Sequence, residues 1–478
     1  MSSLKKNLIL NALNTVSSII FPIITFPYAA RVLLPDGIGI VNFQQSIINY
    51  IILLTSLGIP LYAVKEIAKC RDNKQLRNKV TLEILILNLF LCVLGYIAVF
   101  IIGAFVPQVV ENAVLFYILS LSIIFSCIGV DWFYKGIEDF KYITIRAIII
   151  RFFAAILLFV FVRDKSDILE YGIVVVSSTV GNNFINFLHL RKYAKLSDFN
   201  FSQLDITRHL KPALHIFVLN LVISIYVNLN PVMIGFLSNN QEVGEFSAGI
   251  KITHVVLALI TSTGGVIMPH CSNLLQTSNY SKFVELCTKS LNFTVLISIP
   301  IVVGLILLAE PITLLFCGDG FYDSINILYW NSPVILFIGI TNVIGIQTLY
   351  PLEKVNVVIA SATSGAIINV VLNLFLIPEW GATGAAISTF FAEFSVLVVQ
   401  IIFGYKYLHP IFAGVKPYRY IIPVLAMGFA VFYVRDLFEN FWLSISISTI
   451  VGFIVYFVGL IIHRDKLTLE VLKQIRIK

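Results

Sequence analysis

Apolar residues along this chain come in runs of roughly twenty, separated by short stretches that hold nearly all of the charge. A helix rising about 1.5 Å per residue needs roughly 20 apolar residues to cross ~30 Å of hydrocarbon, so each run predicts one membrane-spanning helix. Fourteen are predicted, over 7–32, 40–64, 80–103, 112–130, 142–162, 169–190 and 212–237, then 247–269, 290–309, 326–350, 356–377, 382–404, 420–434 and 442–462. The thirteenth is short and is expected to extend past Arg435.

The charge between the runs sets the orientation. With the N-terminus inside, the inner segments hold 26 Lys and Arg, and the outer loops hold three: Arg163, Lys165 and Arg435. That is the positive-inside bias of membrane proteins. One missed helix would invert every later loop, so the asymmetry supports the span count as well. Both termini are expected in the cytoplasm. Lys5-Lys6 ahead of an apolar stretch resembles a signal peptide. The stretch is broken by Asn11 and Asn14, however, runs past Tyr28 and has no small-x-small cleavage site. It reads as an uncleaved first helix.

Composition narrows the function. The chain is 58% apolar and 12% charged, whereas soluble domains carry about 25% charged residues, and its mean hydropathy is +0.92. A soluble enzyme, a disordered chain and a nucleic-acid binder are excluded. The net charge of +7 is spread over many segments and forms no single patch. The six cysteines lack any C-x-x-C pattern and read as small apolar fillers or free thiols. No metal or cofactor is expected. The longest interior loops, 191–211 inside and 310–325 outside, are too short for a catalytic domain, and no Walker A or H-E-x-x-H sequence is present. A membrane-embedded polymerase or acyltransferase would want a catalytic His or Asp on an extended outer loop, and the outer loops contain no His.

A weak internal repeat is visible. The first span carries Asn7, Asn11, Asn14 and Ser18, then Pro22; the seventh carries Asn220, Ser224 and Asn228, then Pro231. Steps of three and four put each set on one helix face. The turns that follow end at Gly39 and Gly244, 205 residues apart. The chain therefore divides into an N-terminal lobe (1–211, helices 1–6), a C-terminal lobe (212–404, helices 7–12) and an appendage (405–478, helices 13–14 and a tail). Amides can act simply as glue between helices. Two matching amide faces, each ending in a proline, favour a polar cavity of the kind transporters build between related halves.

Charges within spans need a reason, because each costs a few kcal/mol to insert. Arg146 and Lys251 lie near span ends and are expected to snorkel to the interface. Glu83 lies one turn from Lys79 and reads as a local ion pair. Arg151 is about ten residues into its span, roughly 15 Å deep, and Glu393 is comparably deep; both favour a cavity or an ion pathway. Glu393 is either a proton carrier or a permanently paired strut. Arg31 ends the first helix and points either outward or into the cavity mouth. Cationic side chains suit an anionic cargo, and arginine makes paired contacts to phosphate.

Several segments carry a family resemblance. Ala30-Arg31-Val32-Leu33 with Gly37 and Gly39 resembles the "ARVLGPxxYG" opening of the polysaccharide flippases, the Wzx branch of the multidrug/oligosaccharidyl-lipid/polysaccharide exporter superfamily. Asp131 to Glu138, D-W-F-Y-K-G-I-E, resembles that branch's "DWFFQGxE". Gly345 to Leu352, G-I-Q-T-L-Y-P-L, resembles its "GIQxLYPL", and Ile377-Pro378 with Gly381 to Ala386 resembles its "IPxxGAxGAA" turn. Lys135 in place of Gln and Leu34-Pro35-Asp36 in the first turn depart from the pattern. On physical grounds alone, Gly381 and Gly384 read as a tight turn with close helix packing, and Trp132 and Tyr134 as an aromatic belt at the inner interface.

The resemblance implies an all-α polytopic protein of two six-helix lobes around a central cavity plus two C-terminal helices. It implies movement of an undecaprenyl-pyrophosphate-linked oligosaccharide from the inner to the outer leaflet of the bacterial inner membrane, for O-antigen, capsule or other surface polysaccharide. Membrane lipids are expected partners, with a repeat-unit polymerase and a chain-length regulator as further ones. Asn11, Asn220 and Asn228 would meet sugar hydroxyls; Arg31 and Arg151 would meet the pyrophosphate. The alternatives in the same fold are a lipid-linked peptidoglycan precursor flippase and a drug/cation antiporter, the latter expected to have an acidic cavity.

Overall fold

A computed structural model describes residues 2–193 and 204–463, and among them every regular element is a helix. They form two compact units, Met1–Gly244 and Glu245–Lys478.

The first unit opens with α1 (Ser2–Ser56), which holds two spans joined at Leu34, where φ 60 and ψ 177 break the helix ahead of Pro35. A second break at Leu57 and Gly58 leads into α2 (Ile59–Lys69). Next comes α3 (Lys74–Phe105), whose first turn is capped by Asn73 accepting from the Leu76 N–H. After it come the short α4 (Pro107–Val110), α5 (Ala113–Ile128), the six-residue α6 (Asp131–Gly136), α7 (Phe140–Phe161), α8 (Ile168–Leu190) and α9 (Thr207–Leu237). Three contacts fix how α7 lies on α1. Thr144 donates to the Leu10 carbonyl (3.0 Å), Arg151 donates to Ser17, and Tyr28 donates to the Val162 carbonyl (2.7 Å). Each pair is separated by 134 residues, so the two helices run parallel and stay in register.

The second unit takes most of α10 (Asn240–Gln276), then α11 (Tyr280–Leu307), α12 (Ala309–Cys317), α13 (Ser324–Thr341) and a π-helical stretch, Asn342–Leu349. It continues through α14 (Val355–Phe412), α15 (Tyr418–Arg435) and α16 (Phe441–Ile462). The long α14 is again two spans, broken at Gly381 (φ 51, ψ −130). A left-handed φ suits glycine, and a β-carbon on Gly384 would overlap the Leu376 carbonyl. The tight turn read from the sequence is there.

Among the described residues, eleven helical segments are long and apolar enough to cross a membrane, with α1–α2 and α14 each taken undivided. Splitting those two and adding the 31-residue α9 gives fourteen long helices, matching the runs of the sequence. Large apolar side chains such as Phe105 (78% exposed) and Phe375 (69%) face outward. Surface of that kind belongs against lipid. This is a multi-pass membrane protein.

Candidate functional site

The register of α1 and α7 brings Arg151 onto the amide face of α1. Its Nη1 donates to the Asn14 side-chain oxygen (3.0 Å), to the Asn14 carbonyl (3.2 Å) and to the Ser17 hydroxyl. Arg151 is half-buried, and among the described residues no carboxylate pairs with it. Asn11 lies one turn below Asn14 and is exposed, together with Thr15 and Ser18. The site is thus one cation against a stripe of neutral polar groups.

Arg31 is elsewhere. It is exposed, with Nη1 donating to the Pro27 carbonyl of its own helix (3.2 Å). Seventeen residues separate it from Asn14, about 25 Å along a helix, so the two arginines stand at different depths. On α9, the Asn228 oxygen accepts from Asn49 (3.4 Å), whose own oxygen accepts from Gln45 (3.0 Å). Gln45 and Asn49 are additions to the residues read from the sequence; their signal is a step of four between two amides inside an apolar run. The side chain of Asn220 lies outside the described residues. Glu393 is buried at 7% exposure on the second half of α14, in the second unit.

Two charged clusters differ from expectation. Arg146 does not snorkel: it is 8% exposed, and its Nη2 pairs with Asp131 at 2.9 Å. Its Nε donates to Asn182 (3.2 Å), and its guanidinium lies 5.4 Å from the Tyr142 ring centre. Asn186 donates to the same Asp131 oxygen (3.0 Å). The cause is α6, which turns Asp131 back beneath α7 after a left-handed residue, Val130 (φ 31). The same turn buries Trp132 and Tyr134, which therefore form no interfacial belt; Tyr134 donates to the Asn186 carbonyl at 2.7 Å. Glu83 does face Lys79, at 3.9 Å, but more is arranged around it. It is fully buried and accepts from the Asp205 N–H (2.8 Å) and from Arg208, with His209 Nε2 at 3.0 Å. His209 Nδ1 in turn meets the Tyr62 hydroxyl at 2.8 Å. This cluster fastens the start of α9 to α2 and α3.

In the second unit an apolar groove of about 560 Å³ runs between α11, α15 and α16, walled by Phe293, Leu296, Pro300, Phe453 and Phe457.

A family profile described as "Polysaccharide biosynthesis protein" matches residues 4–275. The chain belongs to that family. Among curated relatives it is 27% identical over 405 residues to an Escherichia coli (strain K12) protein named "Putative O-antigen transporter", covering 84% of this chain and 96% of that one. A protein of the same name from Shigella dysenteriae is 24% identical over 406 residues, 83% of this chain and 99% of that one. Among solved structures the chain resembles the lipid II flippase MurJ in an inward closed conformation, with a TM-score of 0.70 at 18% identity over 96% of this chain and 99% of that one. It also resembles an inward-facing multidrug resistance MATE family transporter of the MOP superfamily, with a TM-score of 0.64 at 15% identity over 83% of this chain and 95% of that one. The fold is therefore that of the MurJ and MATE transporters.

Proposed function

We propose that this chain is a flippase for undecaprenyl-pyrophosphate-linked oligosaccharide repeat units. It carries them from the cytoplasmic to the outer leaflet of the bacterial inner membrane for surface polysaccharide biosynthesis. The observation that carries the reading is Arg151: a guanidinium at mid-span, held against a polar helix face and paired with no carboxylate among the described residues. A charge in that position calls for an anionic partner, and family membership supports a lipid-linked sugar as that partner.

Arg151 receives the pyrophosphate at mid-depth, and Arg31, about 25 Å further out, receives it near release. Asn11, Asn220 and Asn228 serve the sugar hydroxyls, while the polyprenyl tail stays in lipid or in the apolar groove between α11, α15 and α16. Access alternates between the two sides of the membrane. We read 1–211 and 212–404 as the two repeats and 405–478 as the appendage, with both termini cytoplasmic. Glu393 is the candidate for coupling to an ion gradient, and a Glu393→Gln protein that keeps its gradient dependence removes it from that role. A repeat-unit polymerase and a chain-length regulator are the partners that would act on the delivered cargo.

The test is complementation of a strain lacking its repeat-unit flippase. Arg151→Ala should insert at normal levels and restore no surface polysaccharide. Full restoration by Arg151→Ala would overturn the reading. Complementation instead of a strain lacking its peptidoglycan-precursor flippase would keep the pyrophosphate and change the sugar.

A further inference from the structure

All of the hydrogen bonds that Arg151 makes among the described residues leave through one nitrogen, Nη1. The acceptors are the Asn14 amide oxygen, the Asn14 backbone carbonyl and the Ser17 hydroxyl, and all three are neutral. Arg146, five residues earlier on the same helix, is held by a carboxylate, Asp131. The difference has a chemical consequence. A carboxylate tether orients a guanidinium and cancels its charge, whereas an amide and a hydroxyl orient it and leave the charge intact. In a medium of low dielectric an intact charge is costly to keep, so a site that fixes its direction and leaves it uncancelled suits an anion that arrives later.

We propose that Asn14 and Ser17 are positioning residues. They hold Arg151 by Nη1 and so direct its Nε and Nη2 edge, which is geometrically suited to two phosphate oxygens at once, toward a pyrophosphate. This deepens the flippase reading and rests on it. A purely structural tether between α1 and α7 is the competing role. That role is already filled twice in the same register, by Thr144 on the Leu10 carbonyl and by Tyr28 on the Val162 carbonyl.

The two roles part on one substitution, Asn14→Asp. A carboxylate at residue 14 makes a stronger tether, so a structural role predicts a protein at least as stable and as active as the parent. A positioning role predicts a stable protein whose cation is already spent. The experiment uses the full chain in lipid nanodiscs and two probes with the same tail, undecaprenyl pyrophosphate and uncharged undecaprenol. The parent should prefer the pyrophosphate. Asn14→Asp should lose at least about tenfold of that preference, as Arg151→Ala does, with undecaprenol binding and the thermal midpoint unchanged. Ser17→Asp puts the same charge on the other tether and should behave alike, which covers a local failure of either variant. Pyrophosphate binding within twofold of the parent in a folded Asp variant overturns the positioning role. A parent with no preference for pyrophosphate over undecaprenol overturns the cargo reading itself, so the two failures are distinguishable.

Discussion

Arg146 and Arg151 lie five residues apart on one helix and end in opposite states. Arg146 is buried and cancelled by Asp131; Arg151 is half-buried and held only by neutral groups. Depth in the span singled out Arg151 from the sequence alone, because 1.5 Å per residue turns position into distance from water. The same arithmetic misplaced Arg146. Its partner is fifteen residues earlier, beyond the α6 turn, and no helical spacing announces a contact closed by a turn. Glu83 was half-legible for the same reason: Lys79 at four residues could be read off, while Arg208 and His209 arrive from the far side of the chain. A prediction follows from the Arg146 pair. Asp131→Asn leaves a buried guanidinium with only amide partners. Breaking a fully buried pair costs roughly 3–5 kcal/mol, and the side chain of Asp131 is 39% exposed. The expected loss is therefore about 2 kcal/mol, seen as a lower thermal midpoint in detergent. Asp131→Asn, Arg146→Leu should recover part of that loss, because the uncompensated charge is gone.

At the scale of elements, apolar run length gave the spans, and turn chemistry gave the break at Gly381. It did not give the short helices α2 and α6, whose apolar residues merge with the preceding spans. Nor did it give the π-helical stretch, in which Tyr350 N–H reaches back five residues to the Gly345 carbonyl (2.8 Å). That stretch contains G-I-Q-T-L of the family signature, Gly345 to Leu349. Its Gln347 is fully buried and accepts from Ser290 at 2.6 Å, so this part of the family signature ties the π-helical stretch to α11. Gly39 and Gly244, matched by their spacing of 205 residues, face each other: a β-carbon on Gly39 would overlap the Asn240 carbonyl, and one on Gly244 would overlap the Pro35 carbonyl. Both obstacles are backbone, which cannot swing aside. Gly39→Ala and Gly244→Ala should each destabilise by about 2 kcal/mol, and the double variant by less than the sum, because one separation relieves both overlaps. Gly304→Ala is the control. Nothing lies within 4 Å of its β-carbon position, and alanine in a helix interior is neutral or stabilising. Thermal midpoints of the four proteins decide it, and additive losses would show that the two glycines act separately.

For the whole molecule, the sequence was most legible where the bilayer does the sorting. Hydrocarbon thickness sets span length, so the fourteen long helices could be read without tertiary information. The polar contacts inside the bundle were not legible in that way, because they depend on which spans become neighbours. The orientation itself remains open to a direct test, for which the thiol chemistry is favourable. None of the six cysteines is in a disulfide and all are buried, whereas labelling needs an exposed thiolate to attack the maleimide. Cys317 and Cys70 each lie two residues from a labelling position and both are buried; for Cys70, burial also pushes the thiol pKa up. At neutral pH it stays protonated and shielded, so the parent should label weakly and no cysteine need be removed. Single thiols would then be introduced at exposed loop positions, Asp72→Cys in a loop expected inside and Lys165→Cys and Asp319→Cys in loops expected outside. In intact cells treated with a membrane-impermeant maleimide, the second and third should label strongly and the first should not; opening the cells should make Asp72→Cys label as well. The three positions sample both units, and the 26-to-3 bias in basic residues runs through both. Labelling of Asp72→Cys in intact cells, with Lys165→Cys silent, would invert the first unit. A silent Asp319→Cys beside a labelled Lys165→Cys would mean that the number of crossings between them is odd, and that one of the helices α8 to α11 does not span.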